Sequence, residues 1–149
     1  MPIPDFEQDG FLPIGIHDCT IEEISERFGR FQISDRRPSL NAGLISYFRE
    51  LRDANIGKYL IVNGSFVTSK DKPSDIDVLL VLKDDVDLTG DLPPFRKNAF
   101  SRRYINKHYD LDFHFGFEND PSATNILDNF LEVKYQPGKN KGILKINLC

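Results

Sequence analysis

Short apolar runs predict four β-strands in this chain. The first spans 58–63, the second 75–82 and the third 110–115. Beyond Asp77 the second run is apolar on both alternating faces, which is typical of a strand covered on both sides. The third run alternates strictly, so its apolar residues face the core and its polar residues share the other face: Asp110, Asp112 and His114. A final strand over 143–148 carries lysine and is expected at an edge of the sheet.

Helical spacing of apolar residues predicts further elements between these strands. Thr20 and Glu23 match a capping box, which predicts a short helix directly after Thr20. Apolar residues three and four apart predict a longer helix that ends near Asn55. The stretch 95–109 allows a helix with one apolar side, and 121–133 predicts an amphipathic helix.

Composition limits the protein to an ordinary globular class. With 149 residues, 40% of them hydrophobic and 28% charged, we expect one domain of the α/β (α+β) class over 1–149, with an extended segment over 1–19. The sequence lacks a run of roughly 20 apolar residues and a signal-peptide pattern, so we expect a cytoplasmic protein without a membrane partner. Cys19 and Cys149 are expected to be free thiols. The net charge of −4 argues against indiscriminate nucleic-acid binding.

The chemistry of the chain centres on a glycine-serine pair and two aspartates. Gly64 and Ser65 follow the first strand, and Asp75 and Asp77 open the second. Side chains alternate along a strand, so the two aspartates project from one face. Two adjacent carboxylates repel each other, and a divalent cation such as Mg²⁺ relieves this repulsion because it prefers hard oxygen ligands.

Groups suited to a phosphate lie beside these carboxylates. Glycine at position 64 allows close backbone approach, and the hydroxyl of Ser65 donates a hydrogen bond. A short helix that begins at Ser65 would also present free N–H groups to an anion. Lys70 and Lys72 could reach a triphosphate, or they are solvated loop residues. The two halves together predict a metal–nucleotide site.

The same motif carries a resemblance to a known superfamily. Gly64-Ser65 followed after about ten residues by Asp-x-Asp resembles the signature of the DNA polymerase beta-like nucleotidyltransferases. The overall layout resembles a family of small bacterial nucleotidyltransferase-like proteins, through Leu-Pro-x-Gly-x-His at 12–17 and a Lys-Gly-Ile strand at 141–146. This resemblance covers nearly the whole chain. It implies the nucleotidyltransferase fold, with a mixed central sheet and flanking helices.

A site and a reaction follow from the resemblance. It implies a third carboxylate on a neighbouring strand, for which Asp112 is favoured and Asp110 is the alternate. The implied reaction moves a nucleoside monophosphate from a nucleoside triphosphate to an acceptor hydroxyl of a protein, an RNA or a small molecule. Asp75, Asp77 and Asp112 would hold two Mg²⁺ or Mn²⁺ ions. Gly64, Ser65, Lys70 and Lys72 would bind the nucleotide.

Other functions stay open at this stage. A catalytically inactive member would bind a nucleotide or a metal without transfer, and pyrophosphate release would separate it from an enzyme. An antitoxin-type interaction module would act through a paired protein, and the acceptor could then be that partner. The stretch 96–107 carries only basic charges. It is read either as a face for phosphates or RNA or as the solvated side of a helix.

Overall fold

A mixed β-sheet forms the centre of the protein. The computed structural model describes residues 3–29, 36–70, 73, 76–133 and 136–148. In these ranges the strands are β1 (Gly15–Cys19), β2 (Gly57–Asn63), β3 (Ile76–Leu82), β4 (Leu111–Phe117) and β5 (Gly142–Asn147). The helices are α1 (Ile21–Phe28), α2 (Arg36–Ala54), α3 (Pro94–Asn98), α4 (Arg102–His108) and α5 (Pro121–Leu131).

The strand order decides which residues meet at one end of the sheet. The order is β1-β5-β2-β3-β4. Strand β2 runs antiparallel to both of its neighbours, while β1 pairs with β5 and β3 pairs with β4 in parallel. Four strands therefore begin where β2 ends. We call this edge the Asn63 end of the sheet.

Helices cover both faces of the sheet. The larger core lies on the α2 face, where Leu44, Tyr47 and Leu51 pack with apolar residues of the strands, Val78 and Phe113 among them. A smaller cluster lies on the α5 face. It comprises Ile61, Leu79, Val81, Phe130 and Ile143. Because α5 covers only part of its face, polar residues of the strands remain on that face near the Asn63 end.

Most of the predicted elements are confirmed. The α/β class and the helix after Thr20 are both present, and both hydrogen bonds of the capping box form between Thr20 and Glu23. The long helix ends at Ala54. Asn55 then adopts a positive φ of 53°, a conformation common where helices end. The segment before α1 supplies strand β1, so part of the predicted extended segment joins the sheet.

Three predictions about elements were wrong or incomplete. The final strand is not at an edge, because β5 lies between β1 and β2. The lysine in this strand had suggested an edge position, but β1 pairs with the side of β5 that faces away from β2. The stretch 95–109 forms two short helices, α3 and α4, rather than one. The helix expected at Ser65 is a single 3₁₀ turn over Ser65–Val67.

Candidate functional site

Strand register places three polar residues in one row at the Asn63 end. Asp77 of β3 lies opposite Asn63 of β2 and, on its other side, opposite Asp112 of β4. Neighbouring strands are about 4.8 Å apart, and directly paired residues project from the same face. The row lies on the α5 face, since Asp77 alternates with Val78 and shares its face with Leu79. Two carboxylates and a carboxamide therefore stand side by side.

The two candidates for the third carboxylate have different surroundings. Asp112 lies within β4, and its side chain is 53% exposed on the face of the row. Asp110 precedes the strand, and its carboxylate pairs with the Arg36 guanidinium at 3.2 Å. The geometry favours Asp112, because it is in register with Asp77 whereas Asp110 is engaged elsewhere. Asp75, the other predicted carboxylate, lies outside the described residues.

His114 extends the row by one step along β4. Its Nε2 lies 3.7 Å from Asp112 Oδ1, and its ring centroid is 6.0 Å from that of Phe130. The imidazole therefore sits between the α5 cluster and the carboxylate of Asp112.

The Gly64-Ser65 turn follows directly after Asn63. Gly64 has φ 93° and ψ −179°, a region that is essentially restricted to glycine. The N–H groups of Val67 and Thr68 donate within the turn, to Gly64 and Ser65 carbonyl oxygens at 3.2 Å each. One turn has little dipole, so any contribution to anion binding must come from individual groups, such as the half-buried Ser65 hydroxyl.

A buried arginine fixes the loop that carries Lys70. Arg37 is wholly buried, and its guanidinium donates to the carbonyl oxygens of Phe66, Thr68 and Lys70, each at 2.6 Å in its shortest bond. It also donates to Phe28 at 3.2 Å. The side chain of Lys70 is exposed, and Lys72 lies outside the described residues. The loop backbone is therefore fixed at Lys70, whose side chain is in solvent.

Two buried polar groups, one in the row and one beside it, have no hydrogen-bond partner among the described residues. Asn63 is buried, and its Nδ2 donates to the Phe130 carbonyl at 3.3 Å, but its Oδ1 accepts no hydrogen bond. Lys141 is also buried, and its ammonium forms no hydrogen bond or ion pair with any residue that the structure describes. Burial lowers the pKa of Lys141, and the negative charge of Asp77 acts in the opposite direction. The lysine and the aspartate are thus close enough to interact.

The donor set fits a hard divalent cation. Asp77 and Asp112 offer carboxylate oxygens on adjacent strands, and the unsatisfied Asn63 Oδ1 adds a carbonyl-type oxygen beside them. Mg²⁺ and Mn²⁺ prefer such ligands. Within the described ranges, no three histidine, cysteine, aspartate or glutamate residues cluster as a metal site. Of the three predicted carboxylate ligands, the structure describes two, Asp77 and Asp112.

Part of the basic stretch has structural contacts. Arg96 Nε donates to the Ala54 carbonyl at 2.9 Å, and Arg102 Nε donates to the Phe113 carbonyl at 3.0 Å. These two arginines hold α3 and α4 to the rest of the fold. Lys97 and Arg103 lie on the same two short helices, and Arg103 is exposed. The stretch is therefore a mixture of anchoring residues and solvated charge.

Fold and site together define an α+β domain with an acidic row at one end of a five-stranded mixed sheet. Residues 4–147 match the family described as "Family of unknown function (DUF6932)", and the chain belongs to that family. No curated protein and no solved structure matches the chain. Across the described ranges, no helix is long and apolar enough to cross a membrane.

Sequence reasoning missed Arg37, Asn63 and Lys141. Two of these had a signal. Asn63 follows Ile61 by two positions and ends its strand directly before Gly64, so its face was predictable. Arg37 places a cation in the first turn of α2, which the helix dipole disfavours, so another interaction had to hold it there. Lys141 has no such signal, because nothing in a turn rich in lysine and glycine distinguishes a buried lysine from a solvated one.

Proposed function

We propose that this protein is a metal-dependent nucleotidyltransferase that moves a nucleoside monophosphate from a nucleoside triphosphate to an acceptor hydroxyl. The observation that carries the proposal is the row of Asn63, Asp77 and Asp112 in register on three adjacent strands. Next to it, the strained Gly64 conformation opens a turn headed by Ser65. A nucleotidyltransferase site needs carboxylates that bind a metal and a turn that binds a phosphate, and these two parts lie side by side here. We propose the nucleotidyltransferase fold on the same grounds.

Each residue has a role in this reaction. Asp77 and Asp112, with Asp75, would hold the metal, and Ser65 would donate to a terminal phosphate. A bound divalent cation supplies neutralisation of the charge on the triphosphate and on the attacking oxygen. Asp112 accepts the proton of the acceptor hydroxyl, whose oxygen bonds to the α-phosphorus as the bond to the β-phosphate oxygen breaks. Pyrophosphate leaves.

Binding without transfer is the second candidate. The Lys141 ammonium beside Asp77 favours it, because a fixed cation can offset the charge of a carboxylate in a site that no longer turns over. Both candidates bind nucleotides, so affinity does not separate them. Release of pyrophosphate does.

The test is pyrophosphate release from each of the four ribonucleoside triphosphates with Mg²⁺ or Mn²⁺, with a cell lysate as the pool of acceptors. Asp77→Asn is the control, because it keeps the shape of the side chain and removes its charge. The proposal predicts release by the wild type with at least one triphosphate and none above background with Asp77→Asn. Equal release by both proteins, or none from folded protein with any triphosphate, would contradict it.

A further inference from the structure

A buried lysine, Lys141, lies beside the acidic row. Lys141 is 8% exposed, so more than nine-tenths of it is buried. Its backbone N–H donates to the Leu131 carbonyl at 2.8 Å, which ties it to the end of α5. Its side chain forms no hydrogen bond or ion pair with any described residue. A buried ammonium without a hydrogen-bond partner is costly, so an anionic ligand that accepts from it would be stabilised here.

The ammonium is not fully enclosed. Among the described side chains, the one fully enclosed polar atom without a hydrogen-bond partner is Asn63 Oδ1, so the Lys141 Nζ retains some exposed surface. Burial lowers the pKa of Lys141, and the negative charge of Asp77 opposes that effect. The C-terminal end of α5, next to Lys141, is the favourable end of a helix for a cation.

The end of α5 places Lys141 beside the acidic row. The Lys141 backbone N–H donates to the Leu131 carbonyl, and Asn63 Nδ2 donates to the carbonyl of Phe130, the preceding residue of α5. Lys141 precedes Ile143 by two, so it lies on the α5 face with the acidic row. An anion bound to the Lys141 ammonium would therefore lie close to Asn63 and Asp77, and the Gly64-Ser65 turn follows Asn63 directly.

We propose that Lys141 binds the polyphosphate of the donor nucleotide, as the fixed cation of the site beside the acidic row. A carboxylate ligand suits this position less well, because the neighbouring Asp77 and Asp112 repel a second carboxylate, whereas a phosphate chain can bridge lysine and metal. The inference rests on the proposed function, since it assumes that the site takes a nucleoside triphosphate. It adds the residue that orients the leaving pyrophosphate.

The test measures binding rather than turnover. Inorganic tripolyphosphate is titrated into the protein by calorimetry in a buffer with a fixed concentration of Mg²⁺, the same for every variant, because the metal offsets the charge of Asp77 and Asp112. Lys141→Met keeps the length of the side chain and removes its charge, and Lys141→Gln is a second variant that keeps a donor. The matched control is Lys145→Met, in the strand that Lys141 directly precedes and on the same face, whose ammonium lies over the Tyr59 ring at 4.3 Å. Melting temperatures confirm that each variant is folded.

We expect tripolyphosphate to bind about 10- to 100-fold more weakly to both Lys141 variants, and within about twofold of wild type to Lys145→Met. Equal binding by the Lys141 variants and wild type, or no binding by wild type, would overturn the inference.

Failure of the inference and failure of the proposed function have different results. Pyrophosphate release by wild type together with unchanged tripolyphosphate binding in Lys141→Met would overturn the role of Lys141 and leave the transferase proposal standing. Binding that depends on Lys141 without pyrophosphate release would support the polyphosphate site and contradict the transferase.

Discussion

Removal of the Arg37 guanidinium should destabilise the protein by about 3–5 kcal/mol, because it breaks a buried charged network. Arg37→Met keeps the aliphatic stem and removes every donor. Five hydrogen bonds to described residues are lost, to the carbonyl oxygens of Phe28, Phe66, Thr68 and Lys70. Each buried carbonyl left without a donor costs about 1–3 kcal/mol, and these costs overlap. For a chain of 149 residues the melting temperature should fall by roughly 6–20 °C.

The assay is urea denaturation followed by circular dichroism, with Arg36→Met as the matched control. Arg36 is the preceding residue in the same helical turn. Its ion pair with Asp110 is exposed, with side-chain exposures of 34% and 64%, and its Nε donates to the partly buried Pro73 carbonyl at 3.0 Å. Its loss should cost about 1–2 kcal/mol, since exposed pairs contribute little and one hydrogen bond contributes about 1 kcal/mol. A free energy of unfolding for Arg37→Met equal to that of Arg36→Met would refute the reasoning, because it would mean that the buried carbonyls do not need the arginine.

Two further predictions concern the turn before the acidic row and the buried thiol. Gly64→Ala should destabilise by about 1–3 kcal/mol in urea because its φ is 93°, whereas Gly43→Ala, mid-helix with open space around it, should be neutral or stabilising. Burial raises the pKa of the Cys19 thiol to about 12, so in Cys149→Ser protein at pH 8.5 iodoacetamide should alkylate it on the order of 1000-fold more slowly than in the urea-unfolded chain. Because the folded pKa of Cys19 is raised, the stability that comes from keeping this thiol protonated is complete below the ordinary pKa of 9.0 and is lost as pH rises towards 12. Equal alkylation rates in the folded and unfolded protein would contradict the Cys19 prediction. A Gly64→Ala variant as stable as Gly43→Ala would contradict the Gly64 prediction.

The elements of the fold were predictable where short-range pattern decides them. The strict alternation over β4 fixed the faces of Asp112 and His114, and the capping box fixed the start of α1. The position of β5 was not predictable, because whether a strand is central or at an edge depends on pairing with distant parts of the chain. Here β1 covers β5 through contacts between residues far apart in sequence.

The candidate site divides in the same way. The face of Asp77 followed from strand period, but its alignment with Asn63 and Asp112 depends on the register of three strands, which local sequence does not determine. The burial of Lys141 was harder to predict from the sequence. Its burial depends on the approach of α5 to the start of β5, and lysine is usually exposed, so composition pointed the other way.

The most direct test of the central claim is transfer of label from nucleoside triphosphate labelled at the α-phosphate to lysate acceptors, compared among wild type, Asp112→Asn and Asp110→Asn. These two aspartates are two residues apart, but only Asp112 is in register with Asp77. The account predicts labelled acceptor with wild type, a loss of about 100-fold or more with Asp112→Asn and a rate within a few fold of wild type with Asp110→Asn. Full activity in Asp112→Asn would contradict the assignment of the row as the catalytic site.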